Sequence, residues 1–435
     1  MMQSTSATSN HDIPKGVVIA IFLCTLGMIA FLPSLSDFVV KSGNHFGYAG
    51  DDLEVDYVLG ILWAVILFLS IFFWPVPPED RKALLLIWPV KAFIALVLML
   101  AYEYQYALDP DGYYTNAISP QFIFDGLVFG NGTFTIQNLT WLHLQIVPGS
   151  YHGAKVGFSM LSLVGIYVYY RAAVIFLERK DLRILYVLAF FPSILFWSSI
   201  LGKDPVTLFG ISIYVYGVVA FYCFKKPKYL ITLVAGVIIV SLLRMTLGVI
   251  MMVPLSVLII VGKTSLKQRL LIISVFALSL FMVLSKLQGD LNILVVNDLF
   301  DFQNYAIGAF AGGGSTIQAN RISGFGGTII GLPLAIFTAL FRPMFWEAKN
   351  LFSFLQSLDN LFLFLLLFVA IKRTKWRELA DPLLLWAVVL ILLWAALYGL
   401  VVFNLGTLAR YKLQILPVFL GVLLYLSRRR DTRVG

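Results

Sequence analysis

Apolar runs of about 17–22 residues, broken by short charged clusters, recur along this chain and restrict its fold more than any other feature. A helix needs roughly 20 apolar residues to cross the hydrocarbon of a bilayer. Within hydrocarbon, only helices and closed barrels satisfy their own backbone polar groups. The runs lie near 16–35, 57–75, 85–103, 156–176, 183–200, 205–224, 229–243, 247–262, 268–286, 358–371, 383–402 and 412–427. They predict an all-α fold, a polytopic transmembrane bundle of about 12 spans that forms a single integral membrane domain over residues 1–435. Composition points the same way. The chain is 13% charged and 60% hydrophobic, whereas a soluble domain carries roughly 25% charged residues.

The net charge of +9 is no argument for a nucleic-acid partner, because the basic residues sit in clusters between the apolar runs. Those clusters are "PPEDRK" (77–82), "ERKDLR" (178–183), "KKPK" (225–228), "GKTSLKQR" (262–269), "KRTKWRE" (372–378) and "RRRDTR" (428–433). Placing all six in the cytoplasm, as the positive-inside rule asks, puts both termini there and lets the spans alternate without conflict. The segment 326–343 is apolar enough for a further span but would break that alternation. It is therefore predicted to be re-entrant or interfacial, a state tolerated where backbone is buried in protein or lines a cavity. The following "RPMFWEAKNLFSFLQSL" is predicted to lie along the interface. Large polar segments then fall on the outer face at 36–56, 104–155 and 287–357. Cys24 and Cys223 lie inside apolar runs and read as small buried side chains, with no disulfide framework or metal-ligand spacing. The N-terminus lacks the basic region and cleavage site of a signal peptide, so the first run is expected to stay in place.

Chemistry is expected on the outer face. In "YALDPDGYYTNA", Asp109 and Asp111 follow directly on an apolar run, and Pro110 with Gly112 predicts a turn there. Such carboxylates serve as a general base on a hydroxyl or bind a divalent cation that neutralises a phosphate. The alternative is a solvated turn with interfacial tyrosines. In "FPSILFWSSILGKDPVTLF", Asp204 as N-cap and Pro205 at the first helical position explain the turn structurally. Lys203 runs against the positive-inside bias, and a lysine beside a helix N-terminus makes a phosphate site. Arg244, Arg321, Arg342, Arg410 and Lys412 also fall on the side where basic residues are not expected. Each alone can snorkel to headgroups; together they suit a diphosphate, which guanidinium groups bind in bidentate fashion. His143 and His152 read as packing or surface histidines, and the Gly-rich "AGGGSTIQANRISGFGG" reads as a loop over the cavity.

The acidic "DPDGYYTNA", the later "HGAKVGFSMLSLVGIYVYYRA" and "FPSILFWSSILGKDP", and the late "NLGTLARYKLQILPVFL" together resemble the polytopic membrane glycosyltransferases of the GT-C superfamily. The likeness is to bacterial members tied to surface polysaccharide (O-antigen or exopolysaccharide) assembly, and it covers roughly residues 100–425. It implies an integral protein of the bacterial inner membrane that transfers a sugar or glycan from a polyprenyl-phosphate or -diphosphate donor at the outer face. Asp111, with Asp109 beside it, best matches the acidic residue that serves as base or metal-linked ligand in that group. Asp51 and Asp52 in "GDDLEVDY" are rivals. The leading expectation is an inverting glycan polymerase or glycosyltransferase. Its donor phosphates would rest on Lys203, Arg244, Arg321, Arg342 or Arg410, with Asp204 and Tyr411 in the same site. Expected partners are the polyprenyl-linked donor, membrane lipids and polysaccharide-assembly proteins; a divalent cation is the one candidate cofactor. The alternatives are an O-antigen-ligase-like transferase and a lipid-linked oligosaccharide flippase or other transporter. The last would need polar residues deep within spans, where Lys91 and Arg171 are the main candidates.

Overall fold

The computed structural model describes residues 53–262 apart from 106–108, 125 and 148, parts of 265–277, and residues 324–428 apart from 376. The 16–35 run, Cys24, Asp51, Asp52, Arg321 and most of the 268–286 run and the Gly-rich segment lie outside the described residues. Among the described residues every regular element is helical. First come α1 (Leu53–Ser70), α2 (Pro78–Phe93) and α3 (Met99–Gln105), the last two joined through a π-helical turn at Ile94–Leu98. Two shorter helices follow, α4 (Asp109–Ile118) and α5 (Gly132–Leu144). Next are α6 (Tyr151–Leu177), α7 (Leu182–Phe190), α8 (Pro192–Trp197), α9 (Lys203–Phe224) and α10 (Lys228–Leu243). After α11 (Met245–Met252) and α12 (Leu255–Ile260), the C-terminal set begins with α13 (Gly324–Phe341) and α14 (Leu351–Arg373). It ends with α15 (Pro382–Val401), α16 (Leu405–Tyr411) and α17 (Leu416–Ser427).

Among the described residues six helices are long and apolar enough to cross a membrane: Glu54–Phe73, Pro78–Glu103, Tyr151–Leu177, Lys203–Phe224, Phe352–Arg373 and Pro382–Val401. The pair α16–α17, bent by 70°, makes up to seven. The other predicted runs that lie within the described residues are shorter than a span or broken. The run 183–200 divides at Phe191, whose extended backbone precedes Pro192 at the first position of α8. Proline has no N–H to give and pushes the residue before it out of the helical region. The runs at 229–243 and 247–262 become α10, and α11 with α12, all below 18 residues.

Local chemistry fixes the ends. Ser150 caps α6 by accepting from Gly153 N at 2.8 Å, and Asp381 caps α15 by accepting from Leu383 N and Leu384 N. Glu178 and Lys225 close α6 and α9 in the left-handed conformation. The centre of the bundle is α9, with 72% of its apolar window buried against 28% in α1 and in α14. It packs between α6 and α10. A Cβ on Gly236 of α10 would lie 2.4 Å from Tyr214 N, so the two backbones touch. Small residues permit this approach in membrane bundles, where dispersion replaces the hydrophobic drive.

Three sequence expectations need correction, the first being Cys223, which was expected to be buried but is exposed near the end of α9. The predicted turn at Asp109–Gly112 is the first turn of α4, because a proline at the start of a helix removes only an N–H that has no partner anyway. The predicted interfacial segment before 358 is not separate, since Asn350 and Ser353 form a reciprocal cap and α14 then runs unbroken to Arg373. Before it, α13 ends beside the middle of α14, where Asn360 Nδ2 donates to Pro343 O at 2.9 Å. Asn360 lies about 13 Å along α14 from its start, so residues 344–350 climb back beside its first turns. The described basic residues near 178, 373 and 428 gather at one end. There Arg428 pairs with Glu378 at 2.6 Å, Arg373 Nη1 donates to Ser427 O at 2.7 Å, and Phe176 meets Tyr425 at 5.0 Å.

Candidate functional site

The opposite end of α9 carries the candidate site. The chain comes out of α8 through Ser198–Gly202 and re-enters helix at Lys203, so Lys203 and Asp204 form its first turn. A buried lysine holds the approach. Lys91 Nζ of α2 donates to Ser198 O (3.2 Å), Ser198 Oγ (2.5 Å) and Ser199 Oγ (3.1 Å). Ser162 Oγ of α6 donates to the same Ser198 carbonyl at 2.7 Å. An ammonium in a bundle interior needs such acceptors, since an unsatisfied buried charge is costly.

Two guanidinium groups converge on Asp204. Arg410, in the last turn of α16, donates from Nε to Asp204 Oδ2 in a short contact. Its Nη1 lies 3.3 Å from Asp109 Oδ2 of α4. Arg244 sits in the extended joint between α10 and α11 and brings Nη2 to 4.0 Å from Asp204 Oδ1. Its guanidinium lies over the Tyr411 ring, 3.8 Å from the centroid, where the ring face attracts the cation. Arg244 Nε is buried without a hydrogen-bond partner. Lys203 Nζ donates to Thr133 Oγ1 of α5 at 2.9 Å and stands 5.9 Å from the Tyr113 ring centroid. The loop before α5 is tied to this end of α10 by Gly130 N, which donates to Ser241 O at 3.0 Å.

Six sequence candidates therefore meet: Asp109, Lys203, Asp204, Arg244, Arg410 and Tyr411. Three cations face two carboxylates, a local charge of +1. Asp204 is sealed in the protein with its side chain 1% exposed, while the Asp109 side chain is 59% exposed. The group thus has a buried anion that fixes the guanidiniums and an outward carboxylate beside them. The chemistry of such a constellation suits bidentate anion binding with a proton acceptor within reach.

Asp111 is not part of it. Two residues apart on a helix, Asp109 and Asp111 point to different faces. Asp111 accepts from Thr115 Oγ1 at 3.5 Å. Burial pushes its carboxyl above the ordinary value, the Thr115 hydroxyl opposes this, and nearby Glu103 adds to it. Arg342 is likewise elsewhere, its Nε donating to Glu347 Oε1 at 2.9 Å and Oε2 at 3.0 Å. Against the upward pull of burial, Arg342 and Met344 N–H hold the Glu347 carboxyl below its ordinary value. The two histidines are packing residues. His143 buries both ring nitrogens without partners and meets Trp63 edge-on at 5.8 Å, and burial pushes its imidazole down to about 4. His152 Nδ1 pairs with Asp56 at 2.9 Å.

Several buried polar groups were not anticipated from the sequence, and Lys412, expected among the outer-face cations, is instead buried away from them. Lys155 pairs with Glu103 at 2.7 Å, and Tyr151 OH donates to the other oxygen of Glu103 at 2.9 Å. Lys412 Nζ donates to Asn360 Oδ1 at 2.6 Å, and Asp359 accepts from Ser193 N at 2.9 Å. The signal for the first set was a polar stripe at Tyr151, Lys155, Ser159 and Ser162, which share one face of α6. Arg171 donates to Tyr167 OH, which in turn donates to Asp80. Among the described residues no three His, Cys, Asp or Glu side chains converge as metal ligands. No protein-family model, no curated protein and no solved structure matches this chain.

Proposed function

We propose that this chain is a membrane glycosyltransferase of polysaccharide assembly, acting on a polyprenyl-linked glycan donor. The observation that carries the reading is the meeting of Lys203, Arg244 and Arg410 with Asp109 at the bundle end remote from the basic clusters. The positive-inside rule assigns that end to the outer face, and the same rule supports the twelve-run topology with both termini in the cytoplasm. The three cations hold the donor's phosphate oxygens, with Tyr411 backing Arg244. Asp109 takes the base role in preference to Asp111, because it is the carboxylate beside the cations.

The step balances as a single displacement. Asp109 accepts the proton of an acceptor hydroxyl, whose oxygen bonds to the sugar's anomeric carbon with inversion. The bond from that carbon to the phosphate oxygen breaks, and its electron pair leaves with the polyprenyl phosphate or diphosphate. The guanidiniums stabilise that negative charge as it develops, in a site already oriented for it. Purified protein in liposomes, given polyprenyl-diphosphate-linked oligosaccharide, should yield longer lipid-linked glycans, or glycan joined to a terminal acceptor. Asp109→Asn should lower that rate about 100-fold or more. Unchanged glycan length in the wild-type reaction would refute the reading.

A second reading, a transporter of lipid-linked oligosaccharide, is favoured by three buried lysines, Lys91, Lys155 and Lys412, and by the break between α7 and α8 and the bend between α16 and α17. Ionisable groups and discontinuous helices inside a bundle mark transport pathways. Donor that crosses the bilayer chemically unaltered in the same liposomes would favour it.

A further inference from the structure

Arg410 divides its hydrogen bonds between two unequal carboxylates. Its Nε is bound to Asp204, whose side chain is 1% exposed and which also faces Arg244. Its Nη1 is bound to Asp109 at 3.3 Å, and that side chain is 59% exposed. Asp204 cannot leave without stranding buried charge on both guanidiniums. Asp109 can. It stands in the first turn of the ten-residue α4, it is largely hydrated, and an ion pair of that kind is worth little once water competes.

From this asymmetry, and resting on the proposed function, we infer that Asp109 is the site's resident counter-anion. Its carboxylate takes the place on Arg410 that a phosphate oxygen of the donor occupies, and donor binding releases it. Two consequences follow from the charges. With Asp109 in place the group carries +1; with Asp109 turned away, Lys203, Arg244 and Arg410 against Asp204 carry +2, the complement of a dianionic diphosphate diester. The released carboxylate also loses its cationic neighbour, which makes it a better proton acceptor. The donor therefore binds first and arms the base, and the acceptor hydroxyl follows.

The test is calorimetric binding of inorganic pyrophosphate to the full-length protein in detergent at low ionic strength. Asp109→Asn removes the competing charge and keeps a side chain suited to the first turn of a helix. It should bind pyrophosphate about three- to tenfold tighter than wild type, and the gap should close as salt is raised through roughly 0.5 M. Asp109→Glu keeps the charge and should stay near wild type, which separates a charge effect from a change in shape. Equal or weaker binding by Asp109→Asn, with wild type binding measurably, overturns the resident-anion inference alone. Absence of binding to both proteins overturns the anion site of the proposed function as well. Thermal unfolding of each variant at wild-type temperature would show that the comparison is between folded proteins.

Discussion

Asp204 and Arg410 depend on each other because both are largely withdrawn from water, with side chains 1% and 14% exposed. Arg410→Gln leaves a buried carboxylate whose remaining ion-pair partner is Arg244, at 4.0 Å. The expected cost is about 3 kcal/mol, within the range for breaking a buried pair. Asp204→Asn added to Arg410→Gln should recover much of that loss, because the stranded charge is gone. Chemical or thermal unfolding of the two single variants and the double variant, set out as a double-mutant cycle, reads the coupling directly. Additive losses would show that the two charges are not interdependent. A second contrast belongs to the same scale. Asp109→Asn should abolish most transfer, whereas Asp111→Asn should leave it within about threefold, as expected for a group outside the reacting set. Equal loss in both variants would return the base role to Asp111. The chemistry of this stretch was legible in the sequence as two acids beside an apolar run. Which acid stands beside the cations was not, because reading "DPDG" as a turn conceals the helical offset that separates residues 109 and 111.

At the scale of elements, α5 is the part least evident from the sequence. The stretch 104–155 reads as a hydrophilic loop, yet it holds α4 and α5, and α5 packs on α4, α10 and α6. Its hydrophobicity is diluted by Thr133, Thr135, Gln137, Asn138 and Thr140, some of whose polar atoms bond locally. Asn138 Nδ2 donates to Phe134 O and Thr135 Oγ1 to Val128 O, for example. The α5–α6 contact also makes the fold sensitive to acid. His143 titrates near 4 when folded, against an ordinary value of 6.5, because burial disfavours the imidazolium. The unfolded chain therefore takes up a proton first as pH falls. This stabilising contribution is complete above about 6.5 and is lost progressively as pH falls toward about 4. The loss is on the order of 2 kcal/mol after allowing for partial solvation. His143→Phe should flatten that part of the stability–pH curve while leaving the rest, which includes the carboxylates, unchanged. Melting temperatures from pH 7 to about pH 4 check it; the same slope in wild type and variant would exclude His143 as the source. By contrast, the long helices α6, α9 and α15 were visible from apolar length alone, and the α7–α8 break was written at Pro192 but obscured by the apolar residues around it.

For the whole molecule, orientation decides what the site can meet. The basic clusters at the ends of α14 and α17 and the cationic group at the start of α9 occupy opposite ends of the bundle. Positive residues in short loops resist translocation, so the proposed orientation keeps the clustered end in the cytoplasm. The cations of the site do not contradict the rule, because Arg244 and Arg410 are matched by Asp204 and Asp109 and are nearly enclosed. Charges compensated inside the protein present little to the translocation machinery, whereas the exposed Lys372, Arg373, Lys375 and Arg377 present their full charge. The prediction is specific to each end. In a background with Cys24 and Cys223 replaced by alanine, a cysteine at the exposed position Asn116 of α4 should react with a membrane-impermeant maleimide added to intact cells. A cysteine at the exposed position Arg377 should react only after permeabilisation. The reverse pattern would place the cationic group in the cytoplasm. There it would face soluble nucleotide-linked sugars in place of a translocated lipid-linked donor, and the proposed reaction would lose its substrate. Labelling of both positions from outside would instead mean that α4 and the end of α14 share a face, which the opposed ends of α9 do not permit.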